Sequence, residues 1–109
     1  MAPVAVRRGE VWWVNLDPTR GSEIRKTRPA VVLTANGLNR ARCTVVVVPL
    51  STGPTPHPPI LGCHPLTDSV AVCDQVRAVD KGRLIRRYGQ LGPGDLQAIE
   101  AGVRAVLEL

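Results

Sequence analysis

The residues best suited to chemistry lie in one stretch, Asp17 to Leu33, where a polar, turn-rich loop carries four basic side chains and one acid. The basic residues are Arg20, Arg25, Lys26 and Arg28, and the acid is Glu23. This loop runs without a break into an apolar strand, so a dense positive charge is attached to a rigid edge. Such an arrangement suits a polyanion, for example the phosphate backbone of a nucleic acid.

Pro29 fixes the junction between the loop and the strand. Its ring pushes Arg28 into an extended conformation, and its missing N–H suits the first residue of a strand. We therefore expect Arg28 to be held more firmly than a loop arginine usually is.

The length of 109 residues is sufficient for one domain with a single core. We predict a basic N-terminal tail over residues 1–8 and one domain over residues 9–109. The net charge is +5, and twelve of the fourteen basic residues are arginine. Arginine's planar fork matches pairs of phosphate oxygens, which favours phosphate contact, although GC-rich coding alone would also favour arginine.

The sequence gives no sign of export or membrane insertion. It has no run of eighteen apolar residues, and its first residues do not resemble a signal peptide. The three cysteines are odd in number and widely spaced, which argues against a disulfide framework. We therefore expect a cytoplasmic protein.

Short apolar runs separated by turn residues predict a series of strands. The predicted strands are residues 10–16, 30–34, 43–50 and 84–91, with residues 69–79 as one bent strand or two short ones. Residues 36–42 are polar and predict a turn, and the proline-rich residues 51–59 predict a loop. The adjacent Trp12 and Trp13 must point to opposite faces of their strand, so we expect one in the core and one at a surface or interface.

One convincing helix is predicted near the C-terminus. Pro93 suits its first position, and Asp95 places an acid in its first turn. Apolar residues recur at helical spacing at Leu96, Ile99, Val103, Val106 and Leu107. The sequence thus predicts a mainly β fold with a C-terminal α-helix, arranged as a small, strongly bent β-barrel against which the helix packs.

Metal binding and histidine chemistry are weakly supported. Metal ligands could come from Cys43, Cys63, Cys73, His57 and His64, but these contain no C-x-x-C or H-x-x-x-H pair. We expect the thiols of Cys43 and Cys73 to be buried structural groups. We therefore predict no metal. His57 in the proline-rich loop is a conceivable general base, but a surface histidine is the simpler interpretation.

Polar residues also adjoin two apolar strands. Ser51 and Thr52 directly follow a buried strand, which places a hydroxyl at its C-terminal end, where such residues usually close a turn. Asp74 and Gln75 interrupt another apolar run, and a buried Asp74 would need a partner such as Arg77.

Five blocks of sequence, in one order over nearly the whole chain, resemble the MazF/PemK (Kid) family of type II toxins, which are mRNA interferases. The blocks are residues 8–11 with 13–19, then 21–23, 28–33, 48–52 and 74–84. The resemblance implies an SH3-like, PemK-like β-barrel that forms a homodimer. It also implies a ribosome-independent endoribonuclease that cuts single-stranded RNA without a metal or other cofactor, and a MazE-like antitoxin whose flexible acidic segment occupies the RNA groove.

Carried across by position, the resemblance assigns the family's essential arginine to Arg28 and its loop acid to Glu23. Its catalytic threonine falls on Ser51, which keeps the hydroxyl but lacks the methyl group that stiffens χ1. Thr52 is the neighbouring alternative. We assign RNA binding to Arg25, Lys26, Thr52, Gln75 and Arg77.

The implied reaction is attack of the ribose 2′-OH on its own 3′-phosphate, which leaves a 2′,3′-cyclic phosphate and a 5′-OH. A guanidinium with a pKa above ~12 is a poor base, so we expect Arg28 to stabilise charge and donate a proton. Ser51 would hydrogen-bond a phosphate oxygen, and Glu23 would accept a proton or position the substrate.

Two other functions remain open at this point. A non-catalytic toxin of the same fold, similar to the CcdB poisons of DNA gyrase, would bind a protein target, but the basic loop ending at Arg28 favours RNA cleavage. A binding barrel of the SH3 or Tudor type usually presents an aromatic groove, and this chain has only three aromatic residues.

Overall fold

The computed structural model describes residues 5–18, 20–21, 26–52 and 69–109. These residues form six β-strands, two α-helices and two 3₁₀ turns. The strands are β1 (Glu10–Asn15), β2 (Thr27–Val32), β3 (Thr44–Thr52), β4 (Ser69–Ala71), β5 (Arg77–Asp80) and β6 (Leu84–Gln90). The helices are α1 (Asn36–Ala41) and α2 (Pro93–Leu107), and the 3₁₀ turns span Cys73–Gln75 and Lys81–Arg83.

All strand pairs are antiparallel, in the order β4-β3-β2-β1-β6, with β5 also paired to β3. β5 pairs with the first residues of β3 and β4 with the last. The three-residue turn 81–83 links β5 to β6 across the sheet, which is therefore bent. The predicted mainly β fold with a C-terminal helix is confirmed, but β4 and β6 do not pair within the described residues, so the sheet does not close into a complete barrel.

Both faces of the sheet are packed, because successive side chains of a strand point in opposite directions. On the first face Val11, Val31 and Val48 form a cluster with Ile99 of α2. On the second face Trp12 and Val14 pack with alternate residues of the other strands, including Ala30, Val32, Val45, Val47 and Val79. The prediction for the tryptophans is confirmed: Trp12 is buried, whereas Trp13 is half-buried and contacts Tyr88 with ring centroids 5.5 Å apart.

The prediction of a turn over residues 36–42 is wrong, since Asn36–Ala41 is helical. Asn36, Gly37 and Asn39 have low helix propensity, so the local sequence favours a turn. Tertiary contact overrides it, because Asn39 is buried and its Nδ2 donates to the carbonyl oxygen of Thr34 at 2.8 Å.

α2 begins at Pro93, as predicted, and covers the first face of the sheet with its apolar side. Ile99 is fully buried, and Leu96 and Val103 pack beside it. Val106 and Leu107 stay exposed, so the predicted apolar stripe extends beyond the sheet. Within the described ranges, no helix is both long and apolar enough to cross a membrane.

Two residues of the segment predicted as a tail pack against the domain. Val6 is buried with the second-face cluster. The guanidinium of Arg8 forms an ion pair with Glu100 of α2 and donates to the carbonyl oxygen of Leu33 at 2.9 Å. The segment before β1 thus ties the end of β2 to α2.

Candidate active site

Arg28 is the second residue of β2 and lies opposite Val14 of β1. Its side chain is half-buried. The strand begins at Thr27, three residues before the predicted start, so Arg28 belongs to the sheet itself. The backbone of this arginine is therefore more firmly held than the sequence alone indicated.

Pro29 ends the hydrogen-bonded ladder between β2 and β3. The N–H of Leu33 donates to the carbonyl oxygen of Val46 at 2.9 Å, so the odd residues of β2 direct their amide groups towards β3. Pro29 follows the same alternation but has no N–H to donate. The last pair between the two strands is accordingly Ala30 opposite Pro49, and Arg28 lies beyond it.

Ser51 lies two residues after Pro49 in β3, as Arg28 lies two residues before Ala30 in β2. Both residues therefore lie beyond the last pair between the two strands at the same end, and alternation assigns both side chains to the second face. Ser51 was predicted in a loop, but it belongs to β3 and pairs with Val70 of β4. Its half-buried hydroxyl donates to the carbonyl oxygen of Thr52 at 3.2 Å. The arginine and the hydroxyl, which are far apart in the sequence, thus lie at the same end of the β2–β3 pairing.

The root of the basic loop is closed by Asp17 and Lys26. The N–H of Lys26 donates to Oδ1 of Asp17 at 3.0 Å, and the carbonyl oxygen of Lys26 accepts from the N–H of Leu16 at 2.9 Å. Lys26 has a φ of 67°, a left-handed conformation that costs free energy for a residue with a Cβ. These two hydrogen bonds stabilise the left-handed conformation of Lys26. The exposed Lys26 therefore lies at the root of the loop, two residues before Arg28.

Two arginines, one in β5 and one in the turn before β6, bind the same root. Nη1 of Arg77 donates to the carbonyl oxygen of Leu16 at 3.3 Å. Nη1 of Arg83 donates to the carbonyl oxygens of Asn15, at 3.2 Å, and of Asp17. Three successive main-chain oxygens are therefore held by two guanidinium groups, which fixes the direction in which the loop leaves β1.

The remaining predicted RNA-binding residues are dispersed. Thr52 is exposed at the end of β3, opposite Ser69, and Gln75 is half-buried in the 3₁₀ turn that follows β4. Glu23 and Arg25 lie outside the described residues, as do His57, Cys63 and His64. RNA contact by Thr52, Gln75 or Arg77 stays a prediction.

The chain was compared with known proteins. A family model described as a PemK-like, MazF-like toxin of type II toxin–antitoxin systems matches residues 7–107. The chain belongs to the PemK/MazF toxin family. The endoribonuclease MazF9 of Mycobacterium tuberculosis is 34% identical over 115 residues, which cover 95% of this chain and 98% of the relative.

Solved structures share the same fold. The crystal structure of MazF from Deinococcus radiodurans matches with a TM-score of 0.85, covering 97% of this chain and 99% of the other at 21% identity. An endoribonuclease in complex with its cognate antitoxin, from a mycobacterial species, matches with a TM-score of 0.80, covering 96% and 97% at 25% identity. The sheet and terminal helix of this PemK/MazF chain are thus those of known toxins.

The thiols of this PemK/MazF chain differ from each other. Cys73 is buried, with Sγ 3.6 Å from the carbonyl oxygen of Ala71, whereas Cys43 is exposed, contrary to expectation, because it precedes β3 rather than lying inside it. Burial, and to a smaller extent the Asp74 carboxylate, raises the pKa of the Cys73 thiol. Asp74 itself is exposed rather than buried.

The described residues contain no group of three His, Cys, Asp or Glu side chains able to hold a metal ion.

Sequence reasoning missed Arg83 and the anchoring role of Asp17 in this PemK/MazF chain. Asp17 was named only as the first residue of the basic loop, although a carboxylate at a turn often accepts from a nearby backbone N–H. Arg83 donates to main-chain oxygens, which every residue has, so no pattern of residue types in the sequence indicates these contacts. The half-buried ring of Trp13, with the Arg86 guanidinium carbon 6.0 Å from its centroid, lies one residue from the strand position opposite Arg28.

Proposed function

We propose that this chain is the toxin of a type II toxin–antitoxin system and that it is a metal-independent endoribonuclease with sequence selectivity for single-stranded RNA. The observation that carries the proposal is that Arg28 and Ser51 both lie beyond the last β2–β3 pair, Ala30–Pro49, at the end of the sheet where the basic loop begins. Membership of the PemK/MazF family supports the same activity, since relatives such as MazF9 are endoribonucleases.

The reaction we propose is attack of the ribose 2′-OH on the adjacent 3′-phosphate, giving a 2′,3′-cyclic phosphate and a 5′-OH. The negative charge on the phosphate increases at the crowded phosphorane, so a fixed cation near it accelerates the step. Arg28 supplies that charge and donates a proton to the departing 5′-oxygen, and solvent then returns a proton to Arg28 and removes the one that Glu23 accepted. Its guanidinium cannot serve as the base, because it remains protonated at any physiological pH.

Ser51 hydrogen-bonds a non-bridging phosphate oxygen in this scheme. Its hydroxyl must first turn from the carbonyl oxygen of Thr52 towards the substrate. Serine makes that rotation more freely than threonine, because it has no branch at Cβ. Glu23 is the proposed proton acceptor for the 2′-OH, and Arg25 and Lys26 bind flanking phosphates.

Purified protein incubated with a mixed single-stranded RNA in EDTA tests the activity. We expect cleavage at a limited set of sequences, with 5′-OH ends that can be mapped by ligation and sequencing. The same RNA with 2′-O-methyl groups is the matched control and should stay intact, because its nucleophile is blocked. Intact unmodified RNA would contradict the proposal and favour a toxin that binds a protein target such as gyrase.

We also propose a homodimer that is inhibited in the cytoplasm by a MazE-like antitoxin. The net charge of +5 favours an acidic flexible segment, and a related endoribonuclease has been solved with its cognate antitoxin. Light scattering on the purified chain should give twice the 11.7 kDa of one chain. A monomer at micromolar concentration would contradict the dimer, and recovery of the chain in the membrane fraction of cells would contradict the cytoplasmic location.

A further inference from the structure

We propose that a second binding site, for the phosphate-bearing unit of a nucleotide, lies at the end of the sheet opposite Arg28. A pocket of about 270 Å³ opens there between the segment before β1, helix α1 and the turn after β5. The residues that line it include Val6, Arg7, Asn36, Asn39, Arg40 and Lys81.

Three of these side chains are cationic, and no carboxylate is among the described residues that line the pocket. Arg7 and Arg40 are exposed and form no ion pair with a described carboxylate. Lys81 is half-buried, and its Nζ donates to the main-chain oxygen of Asn39. Two arginine forks and an ammonium group on three separate segments suit a phosphate group.

Asn39 supplies an independent sign of a ligand. Its side chain is 1% exposed, and its Oδ1 has no hydrogen-bond partner within the described part of the chain. The orientation of the amide is fixed, because the carbonyl oxygen of Thr34 accepts and must face Nδ2. An unpaired buried acceptor costs free energy that a donor on a ligand would recover.

The two features together define the ligand class. The cations select a phosphate, whereas the Asn39 oxygen selects an N–H or O–H donor, and a nucleotide carries both on one molecule. Because Oδ1 is buried, a donor reaches it only after a neighbouring side chain moves, and we assign that movement to Lys81, whose Nζ donates to the main-chain oxygen of the same residue. Free nucleotides and the units of an RNA strand share this chemistry.

The pocket is separate from the candidate active site. Arg28 lies near the start of β2, and α1 follows the end of that strand at Val32. Four strand residues correspond to about 13 Å. A nucleotide in the pocket is therefore not the one whose phosphate contacts Arg28, and its binding does not depend on RNA cleavage.

Calorimetric titration of the full chain tests the site. The probes are the four nucleoside 5′-monophosphates, the corresponding nucleosides and inorganic phosphate. We expect at least one nucleotide to bind more tightly than its nucleoside and than phosphate. Arg40→Ala should weaken that binding about tenfold or more, because it removes a charged hydrogen-bond donor. Arg42→Ala is the matched control, since Arg42 is an exposed arginine just after α1 that does not line the pocket.

Three results would overturn the site: no nucleotide binding, unchanged binding by Arg40→Ala, or phosphate binding as tight as nucleotide binding. Nucleotide affinity that is lost in Arg28→Ala and kept in Arg40→Ala would also overturn it, because the nucleotide would then occupy the active site. In the expected case Arg28→Ala binds like the wild type, even if the proposed cleavage activity itself fails.

A 2′-O-methyl RNA hexamer distinguishes an RNA strand from a free nucleotide as the ligand. The hexamer is titrated into Arg28→Ala and into the Arg28→Ala, Arg40→Ala double variant. Weaker hexamer binding by the double variant identifies an RNA strand as the ligand. Equal hexamer binding, with the mononucleotide effect retained, identifies a free nucleotide.

Discussion

The two ends of strands β2 and β3 carry positive charge in different ways. At one end Arg28 is part of β2, and Arg77 and Arg83 bind the loop root beside it. At the other end Arg7 and Arg40 extend into solvent from segments outside the sheet. A fixed cation can stabilise a charge that develops at one point, whereas mobile cations bind a charge that is already present. The first end is therefore suited to catalysis and the second to binding.

Arg28→Ala should have the largest effect on the cleavage rate, because it removes the fixed cation from the end suited to catalysis. We expect the cleavage rate to fall about 100- to 1,000-fold, because one charge contact in the transition state is lost. Arg40→Ala is the comparison variant, and at saturating RNA it should cleave at the wild-type rate, because Arg40 is proposed to bind and does not contact the reacting phosphate. Single-turnover assays with circular dichroism to check folding provide the measurement. Similar rates for the two variants would remove the distinction between the ends.

Ser51→Ala should slow cleavage about 10- to 100-fold, the range for loss of a hydrogen bond to a charged group. Thr52→Ala should have little effect, because alternation along β3 assigns Ser51, and not Thr52, to the same face as Arg28. Both rates can be measured on one RNA of known cleavage site. The opposite ranking would transfer the hydroxyl role to Thr52.

Arg83→Ala should lower cleavage about tenfold by releasing two carbonyl oxygens at the loop root. Arg83→Lys should restore only part of the rate, since an ammonium group lacks the planar fork. We expect kcat to change more than KM, because the loop is mispositioned rather than absent. A variant that loses thermal stability in proportion to its rate would indicate a purely structural role.

Lys26→Gly should have the smallest effect of these substitutions, a small increase in the free energy of unfolding. Glycine adopts the φ of 67° without the cost that lysine bears, which we expect to add about 0.5–1 kcal/mol to the free energy of unfolding. Lys26→Ala removes the same charge without relieving the strain, so it is the matched control in denaturant titrations. Equal stability of the two variants would show that the loop root stores no strain.

The parts of the fold that follow from apolar periodicity were predictable. The strands around Trp12, Val47 and Val79 and the helix through Ile99 bury alternating or helically spaced residues, which the sequence displays directly. Helix α1 was not predictable, because Asn36 and Gly37 favour a turn and the helix depends on a buried amide.

The candidate site was predictable in its residue types but not in its geometry. Pro29 indicated that Arg28 is fixed, yet the position of Ser51 at the same end of the strand pair depends on a pairing register that no local signal specifies. The contacts of Arg83 with main-chain oxygens depend on a bend that brings residues 66 and 68 positions apart together. Long-range placement of this kind follows from the whole fold rather than from any motif.

The outer strand β6 affects how the protein behaves at high concentration. It is at the end of the sheet, carries the exposed Ile85, and would offer unpaired backbone groups to a neighbouring molecule. Arg86 and Arg87 follow that isoleucine, and the register against β1 shifts twice along the strand. Charges and irregular pairing discourage the edge-to-edge addition that begins aggregation. The same arginines that add to the basic surface thus also help to keep accumulated toxin from forming fibrils.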